Sequence, residues 1–353
     1  MDFVNFENQN ITDMIKPITS PSFFIVALIA SLLVCLSSCA DKKYTLITEF
    51  PISETLEPVK VIKYDPVKIN IYGINEKIGD YWRLSAKHDD YSIAITDKDF
   101  NPIAYTCRKG NGPGEFLWGV PYGESVVKGD SVIINIKDMY KGTLNRAALS
   151  LSSGKTNIKK TGEIPVMNRA LYRLSNGTTI VNNNENRYFL IGNDGDTTFF
   201  ESWGDNIGFQ EYEDWWCPVI QTHEIFTPDS LRMLVFTDRP YVWLHGTDGS
   251  LIRKVYVEKR PEEVMEDYGG LGFQSACVFG NHFLLMIRDL VDEETGECTT
   301  RLMLFDFDMS PEAVYNIPGD NNDFYADTDT GLVWILDSYN DELIQVFDLS
   351  EWL

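Results

Sequence analysis

The apolar residues of this chain are grouped in short runs rich in β-branched and aromatic side chains, and Gly, Asn, Asp or Pro closes each run. No long stretch repeats at the spacing of an amphipathic helix. Ser92–Thr96, Ser131–Ile136 and Arg232–Phe236 read as strands, and so do Phe283–Ile287, Arg301–Phe305 and Leu332–Leu336. Several are apolar at nearly every position. Strands of that kind are covered on both faces, as when sheets stack on sheets.

A phrase recurs in which a strand meets a turn containing Asp, often with Gly, and a second strand follows. It occurs at Ile95–Phe100, Ile191–Gly195, Leu244–Gly249, Leu304–Asp308 and Gln345–Asp348, with a copy lacking Asp at Leu149–Gly154. The turns, taken at 97, 152, 194, 248, 306 and 348, lie 42 to 58 residues apart. A four-stranded propeller blade takes roughly 40–50 residues. The pattern therefore predicts an all-β chain folded as a six-bladed β-propeller of four-stranded blades. A β-sandwich would explain the strands but not the six-fold rhythm. Each Asp turn is expected to join the inner pair of strands to the outer pair, because Asx side chains bond their own backbone and tolerate left-handed geometry. The last unit stops at Leu349–Leu353, soon after its turn, while the strand-like segment Tyr44–Phe50 has no unit of its own. That segment is predicted to supply the outer strand of the last blade and so close the ring.

Phe23–Ser38 is an apolar run without a charge, short for a membrane span of about 20 residues. It fits the apolar core of a secretory signal. Asp2, Glu7 and Asp13 precede it where a basic start is usual, which points to Met14 as the true start, with Lys16 as the positive charge. The run ends in Leu36-Ser37-Ser38-Cys39, which resembles the signal box of bacterial lipoproteins. That resemblance implies removal of residues 1–38 and acylation of Cys39, which anchors the protein to a membrane. Residues 39–43 form a short tether, and 44–353 form the propeller domain.

Lys and Arg number 30 against 53 Asp and Glu, a net charge of −23. A surface so acidic repels phosphate backbones and excludes nucleic acid as a partner. Of six cysteines, Cys35 lies in the signal and Cys39 is the lipid site. Cys107, Cys217, Cys277 and Cys298 show no C-x-x-C spacing, so zinc-ribbon and thioredoxin chemistry are not indicated; an envelope compartment permits disulfides in three pairings, and buried free thiols are the preferred reading.

The sharpest motif is Arg108-Lys109-Gly110-Asn111-Gly112-Pro113-Gly114-Glu115-Phe116. It lacks the Lys-Ser/Thr ending and the helix start of a phosphate loop. The segment Gly110, Gly112, Pro113, Gly114, Glu115 and Phe116 resembles the G-x-G-P-G-E-F signature of the six-bladed, TolB-like propeller lipoproteins of Gram-negative envelopes. In that family the signature lies between the first and second blades. The resemblance implies a fold and an envelope location, and it supplies no catalytic residues. The loop is read as structural, with Glu115 capping or orienting it.

No catalytic constellation stands out. His88, His223, His245 and His282 show no zincin spacing, and no G-x-S-x-G elbow is present. Asn182–Asn186 and Asp320–Asp323 are oxygen-rich enough to offer Ca²⁺ ligands at a propeller axis, the arrangement of metal-dependent propeller lactonases, but no EF-hand pattern supports either and solvated turns are the preferred reading. Ile207–Pro218 carries four aromatics and three acids. Its Trp215 and Trp216 either plug a seam between blades or form a binding loop for a protein or carbohydrate. The function expected is that of a lipid-anchored binding or scaffold module with no cofactor, and a Ca²⁺-type hydrolase or lactonase is the alternative.

Overall fold

A computed structural model describes residues 44–65, 69–163, 170–174, 176–182, 188–192, 195–200, 222–237, 239–260, 272–292, 297–319, 321, 323–337 and 343–353. The signal segment, Cys39 and the tether lie outside them. Tyr44–Leu353 forms one compact unit. No helix among the described residues is long and apolar enough to cross a membrane.

Among the described residues, twenty-seven strands fall into six small sheets. Blade one holds β4 (Ile71–Ile78), β5 (Tyr81–Ala86), β6 (Tyr91–Asp97) and β7 (Pro102–Arg108). Blade two holds β8 (Gly119–Pro121), β9 (Val126–Lys128), β10 (Ser131–Asp138), β11 (Thr143–Ser150) and β12 (Thr156–Glu163), with β8 and β9 pairing successive parts of β10. Blade three is β13 (Ala170–Arg173), β14 (Thr179–Asn182), β15 (Tyr188–Ile191) and β16 (Thr197–Phe199). Blade four is β17 (Thr222–Phe226), β18 (Arg232–Thr237), β19 (Tyr241–Gly246) and β20 (Leu251–Val257). Blade five is β21 (Gly272–Phe279), β22 (His282–Asp292), β23 (Glu297–Asp306) and β24 (Pro311–Ile317). Blade six begins with β25 (Asp323–Asp327), β26 (Leu332–Asp337) and β27 (Leu343–Asp348). The chain is a six-bladed β-propeller.

The N-terminal segment runs along the outer edges of three blades in turn. β1 (Thr45–Ile47) pairs in parallel with β20, and β2 (Ile52–Thr55) pairs in parallel with β24. β3 (Lys60–Lys63) pairs antiparallel with β27 and is the fourth strand of blade six. Ring closure by the N-terminus is thus observed, but Tyr44–Phe50 is not the closing strand. Thr45–Ile47 instead adds a fifth strand to blade four, and the closing strand starts thirteen residues after Ile47. The parallel pairing of β1 and β2 covers two edges that would otherwise stay open.

The repeated Asp turns also sit elsewhere than expected. Asp97, Asp248 and Asp306 each lie at the junction of the third and fourth strands of their blade. The Asp97 carboxylate accepts the N–H groups of Asp99 and Asn101, both at 2.9 Å, and Asp306 accepts Asp308 at 2.9 Å and Ser310 at 2.7 Å. The turns after Asp97 and Asp306 each swing a buried side chain inward from a left-handed backbone, Phe100 at φ 62° and Met309 at φ 61°. Phe100 stacks on Trp82 with centroids 5.3 Å apart. Burying so large a side chain contributes about 2–3 kcal/mol, which offsets the strain of that φ.

The core lies between blades. Leu234, Val242 and Leu244 of blade four meet Phe283, Met303 and Phe305 of blade five, all essentially inaccessible. Trp82 and Leu84 of blade one meet Trp334, Leu336 and Ile344 of blade six. The apolar-throughout strands seen in the sequence are those packed on both faces at these seams. At the same seam as the chain closure, Lys77 of β4 reaches the Asp327 carboxylate of β25 at 2.7 Å.

Candidate functional site

The loop joining blades one and two is held by its own side chain. Glu115 accepts the Gly112 N–H at 2.8 Å and lies 3.6 Å from the Arg108 guanidinium. Gly110 N–H donates to Phe116 O at 2.9 Å, and Phe116 N–H donates to Arg108 O at 2.8 Å. Phe116 is buried at the seam of the two blades. Gly110 at φ 147° and Gly114 at φ 74° occupy backbone conformations that favour glycine, whereas Gly112 does not. A Cβ on Gly110 would also collide with the Glu115 carboxylate. Pro113 is exposed at the tip.

Asp138, at the end of β10 and fully buried, ties this loop to the β10–β11 turn. Its carboxylate accepts Leu117 N–H at 2.9 Å, Trp118 N–H at 3.4 Å, and the N–H groups of Tyr140 and Lys141, both at 3.1 Å. Lys141 in turn donates to Glu115 O at 2.7 Å. The rings of Trp118 and Tyr140 come to 5.6 Å of each other, and both are half exposed.

Beside Trp118 opens a cavity of about 490 Å³ lined by residues of the inner strands of five blades. Val120, Lys137 and Met139 come from blade two and Tyr172 from blade three. Blade four contributes His223 and Glu224, blade five Gln274 and Ser275, and blade six Asp323. Such convergence is what a ring of radially arranged sheets produces at its axis. The cavity falls within the size range of small-molecule sites.

Its electrostatics are internally matched. The Tyr188 phenol donates to the Glu224 carboxylate at 2.7 Å, and the Tyr172 phenol hydrogen-bonds the same carboxylate. Burial and the Glu224 charge push the Tyr172 phenol above its ordinary range. Burial lowers Lys137, and the attraction of Glu224 opposes that shift. Asp323 accepts Ile74 N–H at 2.9 Å as well as the Ser275 hydroxyl and the Phe324 N–H, yet burial raises its carboxyl to about 7. His223 stacks on Phe236 at 5.2 Å. The arrangement offers mixed donors and acceptors over an apolar floor.

No protein-family model and no curated protein matches this chain. Among solved structures it is similar to BamB from Moraxella catarrhalis, at 10% identity and TM-score 0.34 over 77% of this chain and 68% of that one. It is similar to YCF48 bound to D1 peptide, at 13% identity and TM-score 0.41 over 79% and 77%. A third likeness is to the WD40 repeats of RRP9, at 10% identity and TM-score 0.46 over 83% and 97%.

The residues singled out from the sequence are dispersed. His88 packs on Tyr91 and Tyr105, His245 is buried against Phe200, and His282 lies against Trp352. Only His223 reaches the axial cavity among the four. Burial lowers His245 to about 4 and raises Cys107 to about 11 and Cys277 to about 12. Cys107, Cys277 and Cys298 are free thiols. Asn321 is buried, its amide donating to Pro318 O at 3.0 Å and Gly319 O at 3.2 Å. Asn183–Asn186, Asp320, Asn322, Trp215, Trp216 and Cys217 lie outside the described residues. Among the described residues no three His, Cys, Asp or Glu side chains converge as metal ligands would.

Trp118, Lys137, Asp138, Tyr172, Glu224 and Gln274 were not picked out as a site by any motif, whereas Asp323 closes the oxygen-rich Asp320–Asp323 stretch and does line the cavity. They belong to inner strands or the turns beside them, and no spacing in the sequence joins them. The one usable signal is position within each repeat: Tyr172, Glu224, Gln274 and Asp323 lie on the first strands of blades three to six.

Proposed function

We propose that the protein is a lipid-anchored envelope protein whose propeller binds a ligand in the axial cavity without transforming it. One observation carries this reading, the convergence of five blades on a preformed cavity in which Glu224 offsets Lys137 and both carboxyl groups already accept hydrogen bonds. Matched donors and acceptors over an apolar floor are what ligand recognition uses. Anchoring rests on the Leu36-Ser37-Ser38-Cys39 box, and the envelope of a Gram-negative bacterium is the compartment that box and the G-x-G-P-G-E-F resemblance imply. The anchoring machinery acts on the thiol of Cys39, and three acyl chains then hold the protein far more firmly than one.

The test joins both halves. Cells expressing the wild type, Cys39→Ala or Gln274→Trp are fed a palmitate analogue, and the protein is captured from detergent-solubilised membranes. Gln274 is exposed at the cavity wall, so a tryptophan there fills space without disturbing the core. The wild type and Gln274→Trp should carry label and Cys39→Ala should not. Material co-captured by the wild type should be missing from Gln274→Trp at equal melting temperature. Label on Cys39→Ala removes the anchor, and unchanged co-capture by Gln274→Trp removes the cavity as the binding site.

A further inference from the structure

The Asp138 carboxylate positions two rings that the core does not need. Trp118 follows the signature loop and Tyr140 follows β10, and one buried side chain holds the backbone N–H of both. Met139 N–H adds a bond to Trp118 O at 3.0 Å. Phe116 already anchors the loop in the seam, so packing does not require Trp118. The rings nevertheless sit 5.6 Å apart at an interplanar angle of 37°, about half exposed, on a backbone fixed by hydrogen bonds. Trp118 stands between two cavities. It lines the axial one of about 490 Å³ and a second of about 250 Å³ whose polar lining includes Ser85, Ser92 and Lys109.

The axial cavity restricts what fits. More than half of its lining residues carry a hydrogen-bonding side chain. The Glu224 charge offsets Lys137, and burial brings the Asp323 carboxyl to about 7 while the neutral donors Ile74 N–H and Ser275 hydroxyl hold it, so a charged ligand meets little net charge on the cavity wall. The strong excess of acidic over basic residues further disfavours anions. What remains is a neutral molecule with many hydroxyls and a flat apolar face. A hydroxyl both donates and accepts, which suits walls that mix Lys, Gln and His with Glu, Ser and Asp. The C–H face of a sugar ring suits the exposed face of an indole. A peptide backbone suits this cavity less well, because it offers one donor and one acceptor per residue and is read mainly along sheet edges with pockets for alternate side chains.

We infer that the Trp118–Tyr140 shelf and the axial cavity form a binding site for a neutral oligosaccharide, one unit lying in the cavity and the chain crossing Trp118 toward the second cavity. The inference rests on the reading of the cavity as the binding site. It also accounts for the glycine-rich loop, which together with Asp138 holds the shelf in place.

The full-length protein in detergent is titrated with cellohexaose, xylohexaose, mannohexaose, laminarihexaose and chitohexaose, followed by tryptophan fluorescence and calorimetry. At least one should bind. Trp118→Ala and Tyr140→Ala should each weaken it by about tenfold or more with an unchanged melting temperature, since each removes stacked area and neither ring is core. Gln274→Trp should abolish it. A panel that binds nowhere overturns the saccharide assignment, and so does binding indifferent to Trp118→Ala. A lysine-rich peptide is titrated in parallel. If it binds and the sugars do not, and Gln274→Trp abolishes that binding, the cavity stays a binding site and the ligand class is wrong. If Gln274→Trp leaves every observed binding intact, the cavity itself is the wrong site.

Discussion

Asp323 sits on the first strand of the last blade and accepts hydrogen bonds from Ile74 of the first blade and Ser275 of the fifth. Burial raises its carboxyl to about 7 despite those bonds. An acid whose folded pKa is raised holds its proton more tightly in the folded state. Its contribution to stability is complete below the unfolded value, is lost as pH rises from about 4 through about 7, and stays lost above. Asp323→Asn keeps an acceptor and removes the titration. The melting temperature of the variant relative to wild type should therefore rise between pH 5 and pH 8, by an amount on the order of 2–4 kcal/mol in stability. Thermal melts of both proteins across that range check it, and a flat difference contradicts the argument. Sequence placed Asp323 in an oxygen-rich turn. Its burial was not legible there, because a carboxylate flanked by Asn and Asp reads as solvated until the neighbouring blades are in place.

The loop between blades one and two and the β10–β11 turn behave as one element, joined by Asp138 and by Lys141. Gly114→Val places a β-branched residue at φ 74° and should lower stability by about 1–3 kcal/mol, measured by chemical denaturation. Gly112→Val acts differently, since Gly112 is not at positive φ and its Cβ would meet the Glu115 carboxylate at 2.9 Å. A side chain can shift, so Gly112→Val should cost less than Gly114→Val, and the reverse order would contradict this geometry. The glycines and Glu115 were legible as a motif because loop chemistry is local. Trp118 was not, because its significance comes from Tyr140, twenty-two residues later. The Asp turns give the blade count for the same local reason. Their position between third and fourth strands required the pairing of strands, which turn chemistry does not encode.

At the scale of the ring, the seams carry the packing and the N-terminal segment carries the closure. A chain truncated through residue 57 loses β1 and β2 but keeps β3 on blade six. One truncated through residue 65 loses the closing strand as well. The second should melt well below the first and aggregate, because it exposes the edge of β27. Equal melting temperatures would show that the ring does not depend on β3. Strand-rich seams were legible from apolar runs, whereas the closing strand was not: Lys-Val-Ile-Lys is short and half polar, and Tyr44–Ile47 is the more strand-like sequence. The axial cavity was illegible for a related reason, since each blade supplies one or two residues far apart in the chain. The closing strand also imposes an order of events during synthesis. Lys60 pairs with Val346, so the strand leaves the ribosome 286 residues before its partner. At 5–20 residues per second that wait is roughly 15 to 60 seconds, during which its backbone has nothing to pair with. A strongly β-forming, apolar segment would recruit a neighbouring chain in that time. Lys60 and Lys63 make it a poor template for strangers, and the strand becomes committed only when the last blade arrives.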